Sequence, residues 1–553
     1  MSDSALAHLL GLAAALTLGA CASGGSVEPG PETVDADRLN AHVRELASDA
    51  YEGRAPGTPG EERTVNYIAE QFREMGLQPG GDDGTFFQTV PISRTTAVGD
   101  ATITARRGDW SRSLQRGPDI LVSSDRPVDN ISIENAPVVF VGYGVSAPER
   151  NWDDFRGMDL RGKIMLVLVN DPDFEVPAGH PTAGRFDNQA MTYYGRWVYK
   201  FQEAARRGAA GVLVIHETAG AGYPWSTLQN SGTAPKLDIV RADPNAERVP
   251  AQGWIQRDVA AELLAQAGLD YETLKAAAQR DDFQPVALDG VTLSLDFRQR
   301  ADRFNSRNVV ALRRGSAHPD ETVIIGAHWD AFGRAVPNAQ GDDIYNGAVD
   351  NATGVAAVLE MARLFADAPA PDRSVAFISW AAEEAGLLGA YHYAANPVFP
   401  LETTVAVLNL DSLLPGEEVD PNIVVIGYGK NDLDALLRRH ADGVGRTLIA
   451  DPAPQAGAFY RSDHFPLALK GVPALFPAAG FTGASAASRD YVQNRYHQPT
   501  DDWNEGWTMG AAAQDTQLLY EVGRELADSR IWPTWNAGTE FEATRRASDG
   551  QRR

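Results

Sequence analysis

From Ser306 to Asp528 short apolar runs rich in β-branched and aromatic residues alternate with stretches whose apolar positions recur at helical spacing, without an internal repeat. The spacing predicts strands near 308–313, 322–327, 374–380, 405–410, 423–427 and 474–476. Helices are predicted between them at 352–367, 386–395, 431–441 and 511–527. Short apolar runs bounded by turn residues read as buried strands, and their alternation with helices predicts an α/β fold, a mixed sheet flanked by helices on both faces.

In open α/β sheets the polar groups that do chemistry gather where strands end at their carboxyl edge. "IIGAHWD" ends in His328 and Asp330, "GAVDNATG" puts Asp350 just before a helix, and "VAVLNLDS" ends in Asp411. Late in the chain, "NRYHQPTDD" places Tyr496 and His497 in a loop. The run "SVAFISW" leads into "AAEEAGLLGA", which sets Glu383 and Glu384 side by side at a buried strand's end. Two such carboxylates repel each other and resist desolvation, so without a positive partner one of them stays protonated. Two imidazoles with several carboxylates form a nitrogen/oxygen donor set suited to zinc, and by similar coordination logic to cobalt or manganese. Five protein ligands over-supply one zinc. Two zincs about 3.5–4 Å apart, bridged by one carboxylate and a water, use all five. One glutamate then binds metal and the other faces the water as its base. No G-x-S-x-G elbow and no H-E-x-x-H helix competes.

Spacing alone leaves the individual roles open. The series "GAHWD", "YNGAVDNATG", "AAEEAGLLGA", "LNLDS", "RSDHFPL", "GVPALF" and "YHQPTDD", in that order, resembles the co-catalytic di-zinc exopeptidases of the bacterial leucyl-aminopeptidase type. Glutamate carboxypeptidase II, transferrin receptor and glutaminyl cyclase are relatives of that family. The resemblance implies that His328 and Asp411 bind one zinc, that Glu384 and His497 bind the other, and that Asp350 bridges them. It implies Glu383 as the general base, Asp330 as the carboxylate that orients the histidine ligand, and Tyr496 as a phenol that stabilises the developing oxyanion. His464 in "RSDHFPL" competes as a ligand, but the family pattern assigns that motif to the pocket wall. Asp342 and Asp343 compete with Asp350, and "DNATG" carries the matching context for the latter. Asp463, Asp501 and Asp502 read as hydrogen-bonding residues.

The expected activity is that of an aminopeptidase acting on peptides with a free N-terminus. A carboxypeptidase of the glutamate-carboxypeptidase kind is the rival enzyme, for which Arg461, Arg489 and Arg495 offer a carboxylate pocket. A binding protein with a structural metal site is the non-enzymatic rival, and the complete ligand set together with Glu383 weighs against it.

At 553 residues the chain exceeds one compact core. The first 21 residues read as a lipoprotein-type signal segment, and 22–34 as a Gly/Pro/Ser tether. The peptidase begins at 35–107, with helical periodicity in "DADRLNAHVRELASDA" and "GTPGEERTVNYIAEQFREMGL" and a strand at "TFFQTVPI". It resumes at 291–535, and 536–553 form a tail. The intervening 108–290 is a small α/β unit that resembles a protease-associated domain through "DLRGKIMLV" and "EAARRGAAGVLV". "LGAC", ending at Cys21, resembles a bacterial lipobox, and no other cysteine is present. The expected location is therefore export to the periplasm with a lipid anchor at Cys21 on the outer membrane. An ordinary leader is the alternative, since Met1 to His8 holds Asp3 and no Lys or Arg. A net charge of −25, from 49 basic and 74 acidic residues, argues against nucleic acid or an anionic membrane surface as partner.

Overall fold

The computed structural model describes residues 33–231, 235–480 and 482–552. The signal segment and Cys21 lie outside them. The strand His318–His328 is the axis of the peptidase sheet: Arg373–Trp380 runs parallel to it on one side and Thr404–Asn409 on the other. Beyond Thr404–Asn409 come Ala474–Ala478 in parallel, Asn422–Ile426 antiparallel, and Thr447–Ala450 parallel again. On the opposite side Val286–Arg313 pairs antiparallel with Arg373–Trp380, so the sheet is mixed.

Every residue of Arg373–Trp380 and of Thr404–Asn409 is buried. This explains their near-continuous apolar sequence, since strands covered on both faces have no solvent side to mark with polar residues. Side chains alternate between two cores. Val323, Ile325 and Ala327 join the core under the helices Ala36–Leu46, Pro59–Glu74, Thr353–Asp367 and Gly510–Asp528, while Ile324 joins the core under Leu388–Ala395. The two N-terminal helices start where their caps dictate: Asp35 accepts from the amides of Asp37 and Arg38, and Thr58 accepts from Glu61 with Pro59 in the first turn. Each fully buried Leu, Val, Ile or Phe of these helices, such as Leu39, Val43, Ile68 and Phe72, contributes about 1.5–3 kcal/mol.

Two elements lack a sequence signal. Thr447–Ala450 is only four residues long and partly exposed. Ala486–Asn494 buries only Ser488 and Tyr491, so it shows no apolar period, and its start is set by the Ser485 side chain accepting from the amide of Ser488.

A third feature concerns scale. Phe87–Arg107 and Val286–Arg313 form one long antiparallel ribbon, registered from Phe87 opposite Val309 to Arg106 opposite Thr292, with a bulge between Asp296 and Arg298. The ribbon leaves the peptidase sheet at one end and enters the region 108–290 at the other. There Asn130–Phe140 pairs with Val286–Arg313 and is followed by the parallel strands Ile164–Leu168, Gly211–His216 and Ala251–Gln256. Two apolar clusters cover the faces of these strands. The backbone ladder is thus continuous across both parts. Among the described residues no helix is long and apolar enough to cross a membrane.

Candidate metal centre

Three neighbouring parallel strands deliver four of the polar residues. His328 closes the central strand, Glu383 and Glu384 follow the strand on one side, and Asp411 follows the strand on the other. Asp350 comes from the segment leading into helix Thr353–Asp367, and His497 from the loop after helix Ala486–Asn494. The turns that aim them are tight. Ala382 and Ser412, which flank Glu383 and Asp411, have φ of 55° and 59°, and His497 itself has 58°. Non-glycine residues hold this left-handed conformation where the surroundings over-determine it, often at functional sites.

The side chains converge on Asp350. Its Oδ1 lies 3.2 Å from His328 Nε2, and Asp411 Oδ1 lies 3.6 Å from the same nitrogen. Its Oδ2 lies 3.3 Å from His497 Nε2, which stands 3.5 Å from Glu384 Oε2. Two groups therefore offer ligand atoms close enough for one ion each: His328, Asp350 and Asp411, and Asp350, Glu384 and His497. They share Asp350. The first group is buried; the second opens toward solvent at His497, whose ring is stacked on Tyr496 at 3.7 Å and edge-on to Phe332 at 4.7 Å.

A layer of hydrogen bonds fixes this geometry. His328 Nδ1 is held by the main-chain carbonyl of Asp330 at 3.1 Å, whereas the Asp330 carboxylate stands 3.8 Å from that nitrogen. The carboxylate instead accepts from the amides of Glu383 at 2.9 Å and Glu384 at 3.3 Å. Asp330 thus orients the histidine through its backbone and the paired glutamates through its side chain. Asp501 accepts from the amides of Val349 and Asp350, and Ser462 donates to Asp411 Oδ2 at 2.9 Å. Asn351 ties the Asp350 turn to the Asp411 turn by donating to Leu410 O and accepting from Ser412 N. Arg54 is fully buried behind the site and gives its donors to main-chain carbonyls of Leu46, Trp329, Asn346 and Gly347. Sequence reading singled out Asp501 as a hydrogen-bonding residue but missed Arg54, Asn351 and Ser462. A lone arginine in a turn carries no spacing signal.

The competing candidates fall elsewhere. His464 is buried between Phe459 and Phe476, at ring distances of 4.6 and 5.1 Å, and burial pushes its pKa down to about 3. It belongs to the core behind the pocket, while Arg461 and Phe465 of the same motif line the cavity. Asp343 pairs with Arg334, and Asp342 caps its own turn.

The charges show what the donor set lacks. Burial pushes Glu383 well above the ordinary carboxylate range; His328 opposes this, while Asp463, Asp411 and Asp350 reinforce it. Burial likewise raises Glu384, helped by Asp350 and Glu383. For Asp350 burial is outweighed by hydrogen bonds from His328 and His497, which hold it low. Two imidazoles cannot neutralise four carboxylates, and Glu384 Oε1 is buried without a hydrogen-bond partner. Divalent charge bound among these residues would offset the excess of carboxylates, and the nitrogen/oxygen chemistry of the groups fits zinc.

The site opens into a cavity of about 290 Å³, floored by His328, Asp350, Glu383, Glu384 and Asp411. Tyr496, Tyr460 and Arg461 form part of its wall, and Tyr193 and Arg196 reach it from the region 108–290.

Residues 308–520, which contain every one of these ligand positions, match the profile of peptidase family M28. The chain is 24% identical over 525 residues to "Probable lipoprotein aminopeptidase LpqL" of Mycobacterium tuberculosis, covering 90% of this chain and 86% of that one. It is 44% identical over 361 residues to "Aminopeptidase" of Pseudomonas aeruginosa, covering 64% of this chain but only 52% of the relative. Among solved structures, the aminopeptidase from Aneurinibacillus sp. strain AM-1 shares the fold with a TM-score of 0.50 at 20% identity, covering 90% of this chain and 95% of that one.

Proposed function

We propose that this enzyme is a zinc-dependent aminopeptidase that removes N-terminal residues from peptides at a site for two zinc ions. The observation that carries the reading is the pair of three-residue ligand groups sharing Asp350, with Glu383 beside them on the floor of one cavity. His328 and Asp411 would hold one zinc, Glu384 and His497 the other, with Asp350 between. Zinc bound there would act as a Lewis acid toward a peptide carbonyl and make water more acidic.

The chain's own groups do the rest. The carboxylates of the floor attract the substrate's α-ammonium and hold the scissile bond over Glu383. Glu383 takes a proton from the attacking water and returns it to the leaving amine nitrogen. The Asp330 carboxylate fixes its main chain so that it does not swing away. The Tyr496 phenol is pushed well above its ordinary pKa by burial and by Asp350, so it keeps its proton and can donate to an oxyanion.

Of the arginines that would serve a carboxypeptidase, Arg461 lines the cavity, whereas Arg495 is engaged by Asp501 and the Asp502 carbonyl, and Arg489 by the carbonyls of Gly483 and Ala484. Release of leucine from leucine p-nitroanilide, without release of the C-terminal residue from an N-acetylated peptide, is the expected result. The reverse pattern would overturn the reading. Zinc analysis should return two ions per chain.

The same proposal extends to location: an exported lipoprotein tethered at Cys21 to the outer membrane, with 108–290 acting as a protease-associated domain that narrows access to the site. The "LGAC" sequence and the name of the mycobacterial relative support the anchor. Fatty-acid labelling of the wild type that disappears in Cys21→Ser is expected; equal labelling of both would refute it.

A further inference from the structure

Beyond the matched residues 308–520 the chain folds back onto the peptidase and reaches a residue of the cavity wall. Thr534 donates through its amide and its hydroxyl to the Asp432 carboxylate at 2.9 and 3.0 Å, and the amide of Asn536 donates to Lys430 O at 2.8 Å. Trp535 Nε1 donates to Gly471 O at 2.9 Å. Phe541 is buried against Phe459 and Trp535 at ring distances of 5.8 and 4.7 Å. Arg545 closes the segment by donating to the carbonyls of Thr404 and Val405, on the strand that leads to Asp411.

Between these anchors stands Glu540. Its Oε1 accepts from the Tyr460 hydroxyl at 2.6 Å, and its Oε2 lies 3.5 Å from Lys430 Nζ. Burial works against its charge, but Lys430, the Tyr460 hydroxyl and Arg150 together hold its pKa below the ordinary range, so Glu540 is a carboxylate. Tyr460 is 5% exposed and lines the cavity. Tyr193, from the region 108–290, packs on Tyr460 at 6.1 Å and on Phe465 at 5.1 Å, so the same ring seats the part of that region that reaches the cavity. The Tyr460 hydroxyl has no other acceptor among the described residues: Lys430 Nζ, at 3.4 Å, is a donor. A buried hydroxyl left without an acceptor is costly, and turning toward the water of the cavity relieves the cost.

We infer that Glu540 is a positioning residue that fixes the Tyr460 side chain in the cavity wall, so that the C-terminal segment sets the size of the N-terminal side chain the enzyme accepts. This inference rests on the aminopeptidase reading. At about 290 Å³ the cavity stands at the small end for a ligand site, so a wall ring that shifts changes what fits. Apolar pockets discriminate by about 10- to 200-fold per methylene, and only while their walls hold still.

The test compares kcat/KM for the p-nitroanilides of leucine and phenylalanine in zinc-loaded wild type, Glu540→Ala, Glu540→Gln, Tyr460→Phe and the double variant Glu540→Ala/Tyr460→Phe. The ratio should shift about tenfold toward phenylalanine in Glu540→Ala, because the loosened wall admits the larger ring. Tyr460→Phe deletes the same hydrogen bond from its other end and should shift the ratio in the same direction. The double variant should fall short of the sum of the two, since both substitutions break one interaction. Glu540→Gln keeps an oxygen that accepts from the phenol and should restore most of the wild-type ratio. A merely structural role would lower both substrates together and leave the ratio unmoved. An unmoved ratio in Glu540→Ala, or shifts that add in the double variant, would overturn the inference and leave the aminopeptidase reading intact. Should Glu540→Ala fail to fold, Tyr460→Phe decides, an unmoved ratio again being the contrary result. A wild type that cleaves neither nitroanilide, yet releases C-terminal residues from N-acetylated peptides, sinks that reading and the inference with it.

Discussion

Replacing Arg54 with methionine should unseat the metal centre from behind. The guanidinium makes four hydrogen bonds to main-chain carbonyls: Trp329 O at 2.8 Å, Leu46 O at 2.8 Å, Asn346 O at 2.5 Å and Gly347 O at 2.8 Å. Trp329 lies between His328 and Asp330, and Asn346 and Gly347 begin the turn that presents Asp350. Methionine fills much of the volume but donates nothing, so the carbonyls of Leu46, Trp329 and Asn346 lose their donor in a place where Arg54 is 1% exposed, while Gly347 O keeps the amide of Ala352. Each buried acceptor left unpaired costs about 1–3 kcal/mol. Relief from burying a cation, which pulls the Arg54 pKa down to about 10, offsets part of the sum. The net loss should be about 3–5 kcal/mol, the range for breaking a buried charged group's contacts. Denaturant unfolding followed by tryptophan fluorescence measures it, and zinc content of the still-folded variant reports the local effect. Arg54→Lys keeps the charge but not the planar fork, and should recover only a fraction. A loss under about 1 kcal/mol with full zinc content would refute the reasoning.

Asp501→Asn removes the charge that accepts from the amides of Val349 and Asp350; kcat/KM should fall about tenfold and stability by about 1–2 kcal/mol, and unchanged kinetics would deny it a positioning role. Asp434 is pushed up to about 6 by burial although Gly429 donates to it. Its folded pKa exceeds the unfolded value near 3.9, so the fold binds the extra proton and stability falls as pH rises from about 4 through about 6. Unfolding midpoints measured across that window should show this loss in the wild type and a flatter profile in Asp434→Asn.

The sheet's centre was legible because its strands are covered on both faces, which forces continuous apolar runs such as "SVAFISW" that no loop would carry. His328, Glu383, Glu384 and Asp411 were legible as candidates because a strand must end before a polar residue can stand at its edge, and the apolar runs mark where each ends, whereas Asp350 precedes a helix and His497 stands in a loop. What the sequence hid depends on pairing between distant segments. The ribbon joining Phe87 to Val309 has alternating, partly polar strands whose partner cannot be read from either alone. Arg54 and Asn351 act on carbonyls and amides up to about three hundred residues away, and backbone groups leave no trace in residue type. Arg196 entered the cavity from a loop whose sequence gives no hint that it folds over the metal centre.

The central claim is that Glu383 moves the proton while its neighbour Glu384 holds metal. Zinc content and kcat measured side by side on Glu383→Ala test it most directly, with Glu384→Ala as the companion. Glu383→Ala should keep the wild-type zinc content and fold while kcat falls by about 10²–10⁴-fold with little change in KM, since a base acts mainly in the transition state. Glu384→Ala should lose zinc. Near wild-type turnover in Glu383→Ala would contradict the account.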